Sequence, residues 1–397
     1  MRTSEWARLL SESSELQSLL ATSDSAGEWR TVAYEARPVL LAAAWMNRPR
    51  KILVVTANYE RALQWQAKLG LCGVPQEMIA QLPSGTSALF EDAAPEHIAL
   101  SDRLGALRAL AEEAPKIVLS SPQPVLERTL PKEILLDAHL EIEVGREIDP
   151  DKLLRQLVNL GYEPQEPVRI PGQFSRRGGI IDIFATGRDT PIRIELFGDE
   201  VESIRRFDPN TQRSIGKLES LSLSPSRETL YSAGAESLGE LVRNAIEHEA
   251  AGLEEEVADR LRELVSGDAQ ALSDKLYFDR LDLYRPLLHP ESGCAIDLLA
   301  DEDLLVLDEP LELEAIAARN EEELAQALEA RELRGEILHS TSSDFLLPPE
   351  HMAGHERTLV MTAMNSVPSW VDLRNKVDVN AVSLDPYRGR AEALALT

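Results

Sequence analysis

The chain has 397 residues and a formal net charge of −27, from 68 acidic and 41 basic side chains. This length predicts two or three domains, and 43% hydrophobic with 27% charged residues is typical of a globular protein with an ample core. The acidic balance excludes a protein that binds nucleic acid non-specifically over most of its surface, because counterion release requires clustered positive charge.

Membrane and redox signals are weak. Apolar runs stay below the roughly 18 residues that span a bilayer, and the N-terminal residues lack the apolar centre of a signal peptide. We therefore expect a cytoplasmic protein without a membrane partner. Cys72 and Cys294 lie far apart without CxxC spacing, which favours two buried thiols over a disulfide or a metal site.

The first third of the chain alternates helices and strands. An amphipathic helix is predicted over 4–22, followed by strands at 29–33, 51–56, 78–82 and 116–120 and by helices at 34–47, 59–69 and 99–113. Strands that alternate with helices predict a parallel sheet covered on both sides.

A short β-rich stretch follows a strand at 140–144 and a helix at 149–160. Strands are predicted at 179–185, 191–197 and 201–207, the last two joined by the tight turn Gly198-Asp199. Period-2 alternation places Ile192, Ile194 and Leu196 on one face of the middle strand and Arg193, Glu195 and Phe197 on the other. An aromatic side chain beside an arginine on the polar face is typical of a protein-binding hot spot. The alternative, that Phe197 packs beneath another strand or a loop, stays open at this point.

The same stretch differs from the rest of the chain in charge. Nine basic and eight acidic residues lie between Glu166 and Lys217, a net charge of +1, so the remainder of the chain carries −28. The arginines are Arg169, Arg176, Arg177, Arg188, Arg193, Arg205, Arg206 and Arg213. Such an island predicts an anionic partner, either protein or nucleic acid.

The remaining elements return to the α/β pattern. Helices are predicted at 236–266 and 311–333, and strands at 304–307 and 357–361. His351 and His355 are four residues apart, as two metal ligands on one helix face would be, but Pro348-Pro349 and Gly354 predict a loop, so no metal site is expected. His248-Glu249 lacks the second histidine of an HExxH motif.

A nucleotide site is not predicted. After the strand at 29–33, where a P-loop would bring glycines, lysine and Ser/Thr, the sequence is TVAYEARP (31–38). The pair Gly216-Lys217 lies between strands and opens no helix. Asp308 and Glu309 end an apolar strand as a Walker B element would, but without a P-loop we expect these acids to cap the following helix. We therefore expect no cofactor.

The motifs GQFSRRGGIIDIF, PIRIELFGDEVESIR and FDPNTQRS resemble the interaction domain shared by UvrB and the transcription-repair coupling factors (the Mfd family), in which this domain binds UvrA. The resemblance implies UvrA contacts at Arg177, Arg193 and Phe197. Lower-ranked contacts are Arg176, Glu195, Arg205 and Arg206. Residues 83–98 are short and acidic with one aromatic, Phe90, where UvrB carries a tyrosine-bearing hairpin, so we expect no direct recognition of damaged DNA.

The resemblance also implies a fold and a function. The fold is a degenerate P-loop-NTPase-like α/β domain, split over 1–136 and 231–385, with a β-rich UvrA-interaction domain inserted at 137–230 and a linker from 386 to 397. The function is that of a non-catalytic adaptor module in nucleotide excision repair, which recruits UvrA to stalled RNA polymerase; in the family this face is also covered by another part of the same protein.

The family's contacts to RNA polymerase and double-stranded DNA, and its ATP-dependent translocase motor, are expected to lie outside these 397 residues. Whether the chain is part of a longer protein or a stand-alone relative stays open. The alternatives are a helicase-like ATPase using Asp308 and Glu309, and a damaged-DNA-binding module related to UvrB.

Overall fold

The computed structural model describes residue 12 and residues 27–85, 97–231, 237–363, 366–373 and 375–381. The predicted helix at 4–22 (residue 12 apart), Phe90 and the predicted linker at 386–397 lie outside these residues.

The first part of the chain alternates strands and helices, as predicted. Its elements are β1 (Gly27–Val32), α1 (Arg37–Asn47), β2 (Ile52–Val55), α2 (Tyr59–Leu71), β3 (Ile79–Gln81), α3 (His97–Ala111), β4 (Ile117–Ser120), α4 (Pro122–Leu126) and α5 (Lys132–Asp137). Helix α1 begins at Arg37 and not at residue 34, because Pro38 lies in its first turn, where a missing N–H leaves no helical bond unmade. Asn58 caps α2 by accepting the N–H of Arg61 at 2.9 Å.

The middle part is rich in short strands. Its elements are β5 (Leu140–Glu143), α6 (Pro150–Asn159), β6 (Glu163–Pro164), β7 (Gln173–Arg177), β8 (Ile180–Phe184), β9 (Ile192–Phe197), β10 (Glu200–Phe207), β11 (Ser214–Leu218) and β12 (Ser220–Leu223). Asp149 caps α6 by accepting the N–H groups of Asp151 and Lys152.

The last part is mostly helical and returns to strands near its end. Its elements are α7 (Leu238–Ala250), α8 (Glu255–Ser273), α9 (Arg285–Leu288), β13 (Leu304–Asp308), α10 (Pro310–Leu333), β14 (Thr358–Met361) and β15 (Asn375–Ala381).

Two parts of the chain that are distant in sequence build one parallel sheet. Its strand order is β15-β1-β14-β13-β2-β4-β3, and every neighbouring pair is parallel. Strands β13 and β14 therefore lie between β1 and β2. The four-residue strands β2 and β4 are buried along their whole length, as expected for a sheet covered on both faces.

The strands of the middle part form a second sheet in the order β11-β10-β9-β8-β7-β6, antiparallel except for β6 with β7, while β5 pairs with β12. One apolar core runs from Leu53 and Val118 of the parallel sheet to Ile181, Ile194 and Ile204 of the smaller one. The predicted α/β fold with an inserted β-rich unit is confirmed. The precise domain boundaries stay predictions.

A buried ionic cluster holds the chain where it leaves the β-rich part. The carboxylate of Glu228 contacts Arg103 at 2.7 Å and Arg285 at 3.4 Å, and accepts the hydroxyl of Thr129 at 3.0 Å. Glu127 contacts Arg103 at 3.0 Å from the other side. Burial raises the pKa of Glu228, but the two guanidinium groups outweigh it and hold that pKa at about 2.

Candidate functional site

The hairpin of β9 and β10 sets the geometry of the predicted contact face. Its turn begins at Gly198 with φ of +64°, a conformation that glycine adopts without steric cost. Ile192 and Ile194 of β9 point into the core, while Arg193 and Glu195 are partly exposed. The alternation therefore directs the polar side chains of β9 away from the core.

Phe197 ends β9 at the tip of this hairpin. Its side chain is 79% exposed, the largest exposed fraction among the large hydrophobic residues that the structure describes. The alternative that Phe197 packs beneath a strand or loop does not hold for the described residues. An aromatic ring held this far out of the core at the end of a strand is free to enter a pocket of another molecule.

Arg193 is only 19% exposed and is held on three sides. Its Nε and Nη2 donate to Oδ1 and Oδ2 of Asp182 at 2.7 and 2.8 Å, and Nη2 also donates to Gln212 Oε1 at 2.8 Å. Its guanidinium lies 4.5 Å from the centre of the Phe207 ring. The hydrogen bonds to Asp182 raise the pKa of Arg193 further above its ordinary value. The arginine is therefore part of a fixed network and not a free surface side chain.

Arg177 reaches the same carboxylate from β7. Its Nη2 donates to Asp182 Oδ2 at 3.3 Å, and its Nε lies 3.6 Å from Glu166 Oε1. The Arg177 side chain is 49% exposed. The structure thus brings two of the three predicted contacts together on one buried carboxylate, with Phe197 further along β9.

Three of the four lower-ranked residues, Arg176, Glu195 and Arg205, form ion pairs. Arg205 donates to Glu195 Oε2 at 2.5 Å, so these two charges largely neutralise each other. Arg176 pairs with Asp151 on α6 and points toward that helix. Arg206 is exposed on β10 beside Gly216. Of these four residues, Arg206 offers the most accessible positive charge.

The loop between β10 and β11 supplies Gln212. Asp208 accepts the N–H groups of Asn210 and Thr211 at 2.8 and 2.9 Å, and these bonds lower its pKa. Gln212 follows with φ of +59° and donates its own N–H to Asp208 O. The compact loop thereby places the Gln212 side chain on Arg193.

Asp182 and Gln212 were not predicted from the sequence. A single carboxylate inside the apolar strand β8 is a signal that was available, but its function depends on the cross-strand pairing of Asp182 with Arg193. That register is a property of the folded sheet and is not visible in a linear pattern.

A second arginine cluster occupies the position where a P-loop would lie. Arg37, at the start of α1, is fully buried and contacts Asp308 and Glu309 at the end of β13. Its Nε and Nη2 donate to Val32 O at 2.9 and 2.8 Å. A cation of the chain itself therefore neutralises the carboxylates that resemble a Walker B element.

The surroundings of this cluster are closely packed. The ring of Tyr34 lies between the guanidinium groups of Arg37 and Arg61, at 4.2 and 4.4 Å. Trp65 Nε1 donates to Asp308 Oδ2 at 3.3 Å. Burial raises the pKa of Tyr34, which therefore stays a neutral phenol at physiological pH.

Two expectations about a nucleotide site are corrected, one for the acids at the end of β13 and one for a pair in the smaller sheet. Asp308 and Glu309 were expected to cap the next helix, but Glu309 makes no side-chain cap bond to α10; its Oε1 accepts from Arg37 and from the N–H of Ala363 at 2.7 Å. The reason is that buried Arg37 requires both carboxylates. Gly216-Lys217 lies within β11 and not between strands.

His351 and His355, the two histidines that were considered as metal ligands, contact different partners. His351 Nε2 lies 2.9 Å from Asp297 Oδ1, whereas His355 Nε2 lies 2.9 Å from the carbonyl oxygen of Asp303. Ligand atoms of Cys294, Asp297 and His351 lie within 4.8 Å of one another. Burial raises the pKa of the Cys294 thiol to about 12, so the thiol stays protonated. The Asp297 carboxylate accepts a hydrogen bond from the N–H of Cys294, and these two residues form the capping box of a short helical turn.

Comparison with known proteins gives a consistent result. Residues 140–228 match the family model of the UvrB interaction domain. The transcription-repair-coupling factor of Bacillus subtilis (strain 168) is 34% identical over 62% of this chain and 21% of its own length. That of Myxococcus xanthus is 32% identical over 68% of this chain and 22% of its own length. That of Staphylococcus aureus (strain MRSA252) is 28% identical over 69% and 23%.

The matched part thus spans little more than a fifth of the length of these relatives. No helix in the described part of the chain is both long and apolar enough to cross a bilayer. The arginine-bearing sheet and the exposed Phe197 both lie inside the residues that match the family model. The predicted resemblance of this chain to the UvrB interaction domain, over residues 140–228, and to the transcription-repair-coupling factors is therefore confirmed.

Proposed function

We propose that the chain is a non-catalytic adaptor module of transcription-coupled nucleotide excision repair that binds UvrA through Arg177, Arg193 and Phe197. The observation that carries this proposal is an exposed Phe197 on the same small sheet as two arginines that are held by one buried carboxylate. Phe197 supplies apolar area at low entropic cost, and the guanidinium groups supply charge-assisted hydrogen bonds to carboxylates of the partner.

The charge distribution supports selective docking. The arginines of this sheet lie in a chain with a net charge of −27, so a partner with an acidic patch is attracted to this sheet and repelled elsewhere. The module thereby brings UvrA to stalled RNA polymerase. Contacts to RNA polymerase and to double-stranded DNA are proposed for other regions of the full-length family proteins.

The non-catalytic part of the proposal is supported by the Arg37 cluster. A nucleotide site needs space and positive charge for phosphates. The guanidinium of Arg37 is instead paired with the carboxylates of Asp308 and Glu309 and donates a hydrogen bond to Val32 O. We expect Mg-ATP at millimolar concentration to leave the unfolding temperature unchanged. A rise that grows with ATP concentration would favour the helicase-like ATPase instead.

Binding of the full chain to purified UvrA tests the adaptor function. We expect Phe197→Ala and Arg177→Ala each to cost about 2 kcal/mol, which is roughly 30-fold in Kd, as measured by calorimetry. The matched control is Ile215→Ala, which truncates a side chain that is 54% exposed on the edge strand of the same sheet. The proposal is wrong if Phe197→Ala and Arg177→Ala both bind UvrA as tightly as the parent chain.

A further inference from the structure

Asp182 is an acidic residue at the centre of a face that is proposed to bind an acidic partner. Its side chain is 3% exposed, and it receives two hydrogen bonds from Arg193 and one from Arg177. Strand pairing places it directly opposite Arg193, with Ser175 opposite on the other side. The carboxylate thus joins two arginines from non-adjacent strands, β7 and β9.

We infer that Asp182 is a positioning residue for UvrA binding, which holds the guanidinium groups of Arg177 and Arg193 in the orientation that the partner contacts. This inference rests on the proposed function and adds a residue that the family resemblance did not supply. Asp182 itself is too deeply buried to contact a partner, so any effect it has on binding must pass through the arginines.

The hydrogen bonds of Arg193 show which atoms remain for a partner. A guanidinium has five N–H donors, and Asp182 and Gln212 take the donors on Nε and Nη2. Among the described residues, Nη1 of Arg193 has no hydrogen-bond partner. The network therefore fixes the guanidinium group and leaves its Nη1 donors available to a carboxylate of UvrA.

Fixing these side chains in advance lowers the entropic cost of binding. A free arginine loses rotamer freedom when it is immobilised at an interface, and preorganised side chains avoid most of that loss. Charge alone predicts the opposite sign, because a negative group near the interface repels an acidic partner. Removing the charge of Asp182 therefore separates the two effects by the direction of the change.

The main experiment measures UvrA binding by the full-length chain with Asp182→Asn, a substitution that keeps the shape and removes the charge. We expect the affinity to fall about tenfold, which is 1.4 kcal/mol, through faster dissociation. Unchanged or tighter binding overturns the inference, because the charge effect then outweighs positioning.

A double-mutant cycle tests whether the effect passes through Arg193. Arg193→Lys keeps the charge but cannot form the two-bond contact. In the Arg193→Lys background we expect Asp182→Asn to change the affinity by less than about threefold. A loss as large as in the parent background contradicts positioning through Arg193, because an effect on the fold or on Arg177 alone would not depend on the residue at 193.

Gln212→Gly provides a variant that does not depend on a buried site. Gln212 is exposed and has φ of +59°, which glycine accepts, so the loop is expected to fold. Removing the third contact to Arg193 is expected to weaken UvrA binding about threefold, with the unfolding temperature unchanged. If Asp182→Asn does not fold, this variant decides the matter, and parent-like affinity overturns the inference.

The result is distinguishable from a failure of the proposed function. If Phe197→Ala and Arg177→Ala leave UvrA binding intact, the assignment of this face as the UvrA-binding surface is wrong. If those two variants lose affinity while Asp182→Asn and Gln212→Gly do not, the face is correct and only the positioning role of Asp182 fails.

Discussion

Two arginine–carboxylate clusters in this molecule use the same chemistry for different ends. In the parallel sheet, Arg37 is fully buried and its charge is consumed by Asp308 and Glu309. In the smaller sheet, Arg193 is bound by Asp182 but keeps part of its guanidinium at the surface. The two clusters differ in burial. The fully buried ion pair stabilises the fold, whereas the partly buried one holds a charged group in the orientation that a partner contacts.

The comparison also separates what each cluster is expected to control. A buried cation that is removed leaves an uncompensated carboxylate in the interior, which costs several kcal/mol of folding free energy. A cation at the surface contributes little to stability and much to recognition. The predictions that follow test this division, beginning with the largest effect.

Removing the sealed cation gives the largest expected loss of stability. We expect Arg37→Met to lower the free energy of unfolding by about 3–5 kcal/mol, because Asp308 keeps its burial and loses its main partner. Urea denaturation measures this loss. Arg206 has an exposed side chain on β10 and supplies the matched control, because Arg206→Met is expected to stay within about 0.5 kcal/mol of the parent. A loss below 1 kcal/mol for Arg37→Met would show that the cluster does not hold the sheet together.

A third cluster, around Glu228, extends the comparison to pH. The folded-state pKa of Glu228 is about 2, below its ordinary value of 4.5, so the ionised group stabilises the fold above pH 4.5. That contribution, about 3 kcal/mol, is lost as the pH falls from 4.5 to 2. Urea denaturation of the parent and of Glu228→Gln is expected to show a stability difference that narrows over this range. With the exposed control Glu202→Gln the difference stays constant, and a constant difference for Glu228→Gln would refute the assignment.

The smallest expected effect is the difference in folding free energy between removing Arg193 and removing Arg177, the two arginines that contact Asp182. Arg193→Ala removes both short bonds to a buried carboxylate and is expected to cost about 1–2 kcal/mol of folding free energy. Arg177→Ala removes one longer bond at a half-exposed site and is expected to cost less than about 0.5 kcal/mol. Thermal and urea unfolding compare them directly. Equal losses would mean that Asp182 is held by both arginines alike.

The sequence was most informative where a local pattern determines the structure. Alternation along β9 predicted which side chains leave the core, and the Gly198-Asp199 turn predicted the hairpin. That residues 31–38 form no P-loop stays a prediction, because it rests only on the fixed glycine spacing that such a loop requires and that this run lacks. The start of α1 was misplaced by three residues, since helix ends depend on cap geometry that a periodic pattern does not show.

The sequence was least informative where two distant side chains meet. Arg37 and Asp308 are 271 positions apart, and they touch because the chain returns to place β13 and β14 between β1 and β2. The two acids at 308 and 309 looked like helix caps in isolation. Only the neighbouring arginine shows that they serve as its counter-charges.

The sequence by itself determined the local elements of this protein and the charge of its arginine-bearing stretch, since each depends on residues near one another in the chain. Only the tertiary structure decided that Arg37 is fully buried and that Arg193 is partly exposed at the surface. That choice depends on strand order and cross-strand register, because the strength and accessibility of an ion pair are set by how deeply the folded sheets bury it.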